Sequence, residues 1–128
     1  MSKEEPNLIN QHIDLAALRQ LQNILGDEFW PLCNSFKDNA SAAIAHMEQS
    51  AFDGDMQTLK QTAHSVKGMA MNMYAPELVR QCRQLEEQAH ALSYTETMNQ
   101  LSTLRIEVLT VIGEMNRLKI PQANPSTD

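Results

Sequence analysis

The sequence has few of the residues that interrupt helices or build cross-linked scaffolds. Its 128 residues include four glycines, five prolines and two cysteines. Cys33 and Cys82 form no CxxC pair and no regular framework, so we expect both to be reduced and buried. No run of about 18 apolar residues occurs, which excludes a membrane-spanning helix. The stretch MSKEEPNLINQH at the N-terminus lacks the apolar run of a signal peptide, and we expect a cytoplasmic protein.

Positive charge is also scarce. Ten Lys and Arg residues face sixteen Asp and Glu residues, which gives a formal net charge of -6 at pH 7. A nucleic-acid binder needs a basic face to neutralise phosphates, and an anionic membrane surface attracts the same kind of face. We therefore predict neither nucleic acid nor a membrane as a partner, which leaves another protein or a small ligand.

Helix-forming residues dominate the rest of the sequence. Hydrophobic residues make up 42% of the chain, enough for a folded core, and Leu, Ala, Met, Gln and Glu favour helices. We predict an all-α fold, an antiparallel four-helix bundle with a short additional N-terminal helix, and a monomer. The predicted parts are a flexible segment over residues 1–11, the bundle domain over 12–120 and a disordered polar tail over 121–128.

Apolar residues at helical spacing and capping residues set the expected helix boundaries. The first helix is capped by Asp14 and runs through Leu25, and Asp27 is expected to cap the second. Either Asp53 or Asp55 can cap the third helix, and Ser93 or Thr95 the fifth. The predicted ranges of the later helices are about Glu28 to Ala51, Met56 to Met73, Pro76 to Leu92, and onwards to about Lys119.

Four histidines are the natural candidates for chemistry, and one of them stands apart. On a helical wheel His64 lies roughly 130° from the core stripe of the third helix, on its water side. His12 has no obvious partner, His46 is expected to be partly buried in a structural role, and His90 falls on a polar surface. Only His64 combines exposure with unusual neighbours.

The strip around His64 is unusual for a face that is merely solvated. Gly68 lowers helix stability by about 1 kcal/mol relative to alanine, Met71 places an apolar side chain in water, and Lys67 stands one turn from the imidazole. Each has a use if His64 is a nucleophile, because a cation keeps the imidazole neutral, a glycine admits a partner's backbone and a methionine makes an adaptable contact. The polar residues of the same strip are Gln57, Lys60 and Gln61.

The run Thr62-Ala63-His64-Ser65-Val66-Lys67-Gly68-Met69-Ala70 resembles the motif of histidine phosphotransfer (HPt) domains, A-H-x-[hydrophobic]-K-G-x-[small]. The likeness covers roughly residues 14 to 118. The sequence departs from the family at Tyr74, where a glycine is usual, which implies a different turn or an aromatic packed against the next helix. Further residues that carry the likeness are Phe36, the Asp53/Asp55 turn, Ala75, Leu78, Cys82, Leu85 and Glu86.

This resemblance implies a phosphoryl carrier rather than a kinase, and the sequence contains no GxxxxGK[ST] motif for ATP. His64 would accept a phosphoryl group through Nε2 from an aspartyl phosphate on a receiver domain and pass it to a response regulator. Lys67 would pair with the phosphoryl oxygens, and Gln61 would hydrogen-bond them or the imidazole. The implied partners are receiver domains and a hybrid sensor kinase, the receiver supplies Mg²⁺, and no intrinsic cofactor is expected. The expected docking residues are Gln57, Lys60, Gly68 and Met71.

Two alternatives stay open from the residues alone. Glu87-Gln88-Ala89-His90 has the Glu-x-x-His spacing of di-iron bundles, although these need a second such motif and two more inward glutamates. The other alternative is an interaction module that binds a receiver or a kinase without carrying phosphate. No Ser/His/Asp or paired-carboxylate arrangement indicates another class of enzyme.

Overall fold

Five α helices and one 3₁₀ turn make up the structure, a computed structural model that describes residues 12–119. The predicted flexible segment 1–11, residue 120 and the predicted tail 121–128 lie outside the described residues. No strand occurs within residues 12–119, and the predicted all-α fold is confirmed. The helices are α1 (Leu15–Leu25), followed by the 3₁₀ turn Gly26–Glu28, then α2 (Phe29–Asp53), α3 (Met56–Asn72), α4 (Pro76–Gln88) and α5 (Tyr94–Arg117).

The four long helices form a closed ring in which each helix packs against two neighbours. Helix α3 packs against α2 and α4, and α5 packs against the other side of the same two helices. Short connections make successive helices antiparallel, as expected for such a bundle. The short α1 contacts α2, and the Asp14 amide just before it donates to the Tyr74 carbonyl in the α3–α4 turn. Within the described part of the chain, no helix is long and apolar enough to cross a membrane.

Most helix starts lie where the capping residues predict. Asp14 accepts from the Ala17 amide and Asp55 from the Thr58 amide, while Ser93 and Glu96 form a reciprocal capping box before α5. The prediction for Asp27 is wrong: it lies in the 3₁₀ turn, and α2 begins at Phe29 without any side-chain cap.

Two helix ends differ from the prediction. Helix α2 continues to Asp53 rather than to Ala51, because Gly54 provides the left-handed C-cap with φ 75°. Helix α4 ends at Gln88 rather than near Leu92. The four residues that follow Gln88 are needed to turn the chain before Ser93, whose extended backbone caps α5.

The core is a single cluster of apolar side chains from all five helices. Helix α3 contributes Leu59, Ala63, Val66 and Ala70, each 0% exposed, so the opposite face of α3 is left to solvent. Leu32 of α2 lies at the surface in spite of its apolar side chain. Both cysteines are free and buried, and burial raises the pKa of the Cys82 thiol to about 12, which makes it unreactive.

The α3–α4 turn is a Schellman motif built on a tyrosine. The Ala75 amide donates to the Ala70 carbonyl and the Tyr74 amide to the Met71 carbonyl, while Tyr74 has a φ of 57°. Gly54 occupies the same position in the equivalent motif that ends α2. The turn therefore has the same form as the one that ends α2, because Tyr74 itself adopts the left-handed conformation that glycine adopts most easily. The second expectation for Tyr74 is an aromatic ring against the next helix, and Tyr74 lines a groove together with Val79 of α4.

Candidate functional site

His64 lies near the middle of α3 on the face that points away from the core. Its side chain is 67% exposed, whereas Ala63 and Val66 on the opposite face are fully buried. The predicted position of the imidazole in water is confirmed, and a second protein can reach the ring without any rearrangement of the bundle.

Glu86 of α4 joins His64 to Lys67. Its Oε2 atom lies 2.6 Å from Nδ1 of His64, and its Oε1 atom accepts a hydrogen bond from Nζ of Lys67, also at 2.6 Å. The hydrogen bond from Lys67, together with that from His64, lowers the pKa of the Glu86 carboxyl in spite of some burial. Glu86 is therefore an ionised carboxylate at neutral pH that binds both functional side chains of α3.

This carboxylate fixes which nitrogen of His64 carries the proton. An ionised carboxylate can only accept hydrogen bonds, so Nδ1 of His64 must be the donor in the contact with Glu86. In the neutral imidazole the lone pair is then on Nε2. The ring is thus held in the tautomer whose nucleophilic nitrogen faces away from Glu86.

The ammonium group of Lys67 contacts Glu86 rather than the imidazole. We expected its charge to disfavour a protonated imidazole, but its ammonium group is bound to Glu86 and its side chain is only 19% exposed. A carboxylate, not an ammonium group, is the charged group in contact with the ring. The sequence names Glu86 only among the residues that carry the family likeness and gives it no role, because the packing of α4 on α3 is what brings it to His64.

The other predicted site residues lie along the same face of α3. Gln57, Lys60 and Gln61 are exposed, and Gln61 forms no hydrogen bond with His64 in the described structure. Gly68 is exposed, and a Cβ atom placed there would have no neighbour within 4 Å. Met71 is 56% exposed although it is apolar.

Two depressions border this face. The first, of about 230 Å³, is lined by three cations and two carboxylates: Lys60, Lys67, Arg83, Glu86 and Glu87. The second is an open groove of about 490 Å³ at the C-terminal end of α3, lined by Asp14, Met71, Tyr74, Ala75, Pro76, Val79 and Arg83. Arg83 of α4 belongs to both, and sequence reasoning missed it because its proximity to α3 is a tertiary contact.

The remaining histidines lie away from this face. His12, expected to lack a partner, places Nδ1 2.8 Å from Oε2 of Glu107, a carboxylate whose pKa is raised by burial and lowered in part by His12. His46 is exposed rather than partly buried, because it lies on the solvent side of α2 while the next residue, Met47, is buried. His90 is exposed as predicted.

The di-iron alternative rests on Glu87 and His90. Both side chains are exposed, Glu87 on α4 and His90 in the turn after it. Residues 12–119 contain no group of three or more His, Cys, Asp or Glu residues that could hold a metal ion.

Comparison with known proteins agrees with the helical bundle that carries this site. The family model described as "Hpt domain" matches residues 31–116, about two thirds of the chain. The crystal structure of histidine-containing phosphotransfer protein B (HptB) from Pseudomonas aeruginosa PAO1 is similar with a TM-score of 0.76 and 28% sequence identity, covering 86% of this chain and 97% of that one. No curated protein sequence matches the chain. A bundle of this topology, matched by the family model over most of its helices, belongs to the Hpt domain family.

Proposed function

We propose that this protein is a phosphorelay carrier that accepts a phosphoryl group on Nε2 of His64 from an aspartyl phosphate and passes it to a response regulator. The observation that carries the proposal is the exposed imidazole whose Nδ1 is bound to Glu86. In the neutral ring this contact leaves the lone pair on Nε2, the nitrogen that Glu86 does not bind, on an exposed side chain of α3. Membership of the Hpt domain family supports the same function.

The transfer step needs little from this protein beyond a positioned nucleophile. The lone pair of Nε2 forms the new N–P bond while the P–O bond to the receiver's aspartate breaks, and the aspartate leaves as a carboxylate with the bonding electrons. The Nδ1 proton stays in the hydrogen bond with Glu86, whose negative charge balances the positive charge that develops on the ring. Phosphoryl transfer has a loose transition state, so positioning and charge stabilisation account for most of the catalysis.

Lys67 is placed to respond to the arriving phosphoryl group. Its ammonium group is one helical turn from His64 and is held by Glu86 at 2.6 Å. Three donors on one ammonium group allow it to keep this bond and also to donate to a phosphoryl oxygen. Lys67 thus adds charge stabilisation to the phosphohistidine, and the exposed Gln61 on the same face is a second donor.

A receiver domain is the partner that this chemistry requires. It brings the aspartyl phosphate and, as the family resemblance implies, the Mg²⁺ ion, and it docks on the strip formed by Gln57, Lys60, Gly68 and Met71. Open space at Gly68 allows close approach of its backbone. The donor receiver belongs to a hybrid sensor kinase and the acceptor to a response regulator, and this protein itself uses no ATP. The cytoplasmic location and the monomeric state stay predictions.

A labelling experiment tests the proposal. The receiver domains of the source organism are phosphorylated, incubated with the protein and Mg²⁺, and the protein is analysed for phosphate that is acid-labile and alkali-stable. The wild type should be labelled and the His64→Ala variant should not. His90→Ala is the matched control, since it removes another exposed imidazole and should leave labelling intact.

Two outcomes contradict the proposal. Labelling that persists in His64→Ala would place the phosphoryl group elsewhere. Binding of receivers without any labelling of the wild type would favour the alternative function, an interaction module that carries no phosphate.

A further inference from the structure

Tyr74 is held in a backbone conformation that disfavours its side chain. Its φ of 57° lies in the left-handed region, which glycine enters freely and other L residues enter at a cost. The equivalent Schellman motif at the end of α2 uses Gly54. A strained residue persists where the surrounding structure or a function requires it, so the side chain of Tyr74 needs an explanation.

Core packing does not provide that explanation. The tyrosine is 41% exposed, and its neighbours Met73 and Ala75, each 1% exposed, fill the core on either side of it. Tyr74 instead lines the open groove, together with Val79 of α4 and Met71 of α3. Here an apolar surface is presented to solvent at the expense of backbone strain.

The groove continues the face that carries His64. Met71 follows His64 by seven residues, two helical turns on the same side of α3, which is about 10 Å. Gly68 lies between them and adds no side chain to the path. On α4, Arg83 lines both the groove and the charged depression that contains Lys67 and Glu86.

We propose that Tyr74, Met71 and Val79 form a second contact site that takes an apolar side chain of the receiver domain docked at His64. The inference rests on the function proposed above. The groove is open and has few polar groups, which suits a side chain on a protein surface better than a small ligand held by convergent polar contacts. Its continuity with the His64 face favours the receiver over a second copy of this chain, because a second copy seated there would obstruct the imidazole. Arg83 at the edge favours an acidic residue next to the inserted side chain.

Replacement of Tyr74 tests this site without endangering the fold. Tyr74→Gly removes the ring and also relieves the backbone strain, while Tyr74→Asn removes the ring but tolerates the left-handed conformation without glycine's flexibility. The probe is the receiver domain that labels the wild type fastest, and its Kd is measured by calorimetry. Both variants should raise Kd about tenfold, the loss typical of a buried tyrosine at an interface, with the loss falling on Kd rather than on the transfer rate at saturating receiver.

The matched control is Tyr94→Ala. Tyr94 is another exposed tyrosine, 53% exposed at the start of α5, and its loss should leave Kd within twofold of the wild type. A Kd for Tyr74→Gly and Tyr74→Asn that equals the control value overturns the inference. A difference in oligomeric state between the wild type and these variants, measured by sedimentation, also overturns it, because the groove would then be a self-association surface.

Failure of the wild type to accept phosphate from any receiver contradicts the proposed function instead, so the two failures are distinct.

Discussion

Glu86 holds the proton on Nδ1 of His64, and in the proposed phosphoryl transfer we expect this hydrogen bond to strengthen as the imidazole acquires positive charge. Glu86→Gln keeps a group of the same shape but replaces a charge-assisted hydrogen bond by a neutral one. Charge-assisted bonds are about twice as strong, so we expect the transfer rate at saturating receiver to fall about tenfold. Glu87→Gln, a change of the exposed neighbouring carboxylate, is the control, and equal rates for the two variants would contradict this role.

The same carboxylate makes a pH-dependent contribution to stability. The pKa of Glu86 is lowered in the folded protein, chiefly by the hydrogen bond from Lys67. Its contribution is therefore present above the ordinary carboxyl pKa and is lost as the pH falls through the lowered value. Urea unfolding should show Glu86→Gln less stable than the wild type at pH 7, with a difference that closes in acid. A difference that grows as the pH falls would have the wrong sign.

Substitution of Gly68 should raise the stability of the protein and weaken the docking of a receiver. Because the position is helical and has open space around it, Gly68→Gln should raise the free energy of unfolding by up to about 1 kcal/mol. The same side chain should obstruct a receiver and lower the transfer rate. Gly113→Gln is the matched control, since Gly113 is also helical with open space around it but lies on α5, and it should gain stability without loss of transfer. A Gly68→Gln variant that is folded and transfers at the normal rate would show that the receiver does not dock over Gly68.

At the scale of elements, the two Schellman turns allow a direct test of backbone strain. Tyr74→Gly and Tyr74→Ala both remove the aromatic ring, but only alanine keeps the steric cost of a φ near 57°. We expect the glycine variant to be more stable by about 1 kcal/mol, the reverse of the order inside a helix. Urea denaturation of both variants measures the difference. A more stable alanine variant would mean that the turn relaxes out of the left-handed conformation.

The helices could be predicted largely because their signals are local. Asp14, Asp55 and Ser93 act within a few residues, as caps do, and the stripe of α3 placed His64 on the outside. Predictions failed where the decisive contact comes from another element. Glu86 reaches His64 from α4, Arg83 joins the site through the same packing, and His12 binds Glu107 across 95 positions of sequence. Periodicity within one helix contains no information about such pairs.

At the scale of the whole molecule, charge is unevenly distributed. The chain carries a net charge of -6, yet α3 contains no Asp or Glu and contributes Lys60 and Lys67 to the His64 face, with Arg83 beside them. A receiver that binds Mg²⁺ through carboxylates presents an acidic surface. We therefore expect this local complementarity to steer association with the proposed receiver in spite of the overall negative charge.

Salt dependence tests this steering. Lys60→Gln should slow the association with the receiver several-fold at low ionic strength, measured by stopped flow, and the difference should shrink at high salt as charges are screened. Lys37→Gln is the control, because Lys37 is also exposed but lines a groove between α2 and α5. An equal effect of both variants would indicate a response to net charge alone.

In the proposed function every partner reaches the same nitrogen, Nε2 of the exposed His64, past the open space at Gly68. The donor receiver and the acceptor receiver therefore compete for the same binding surface. The phosphoryl group can be transferred to the acceptor only after the donor receiver has dissociated. An excess of unphosphorylated donor would therefore inhibit the transfer. The overall rate of phosphotransfer then depends on how long each receiver stays bound. A mutation that raises the affinity for the donor receiver would therefore slow transfer to the acceptor.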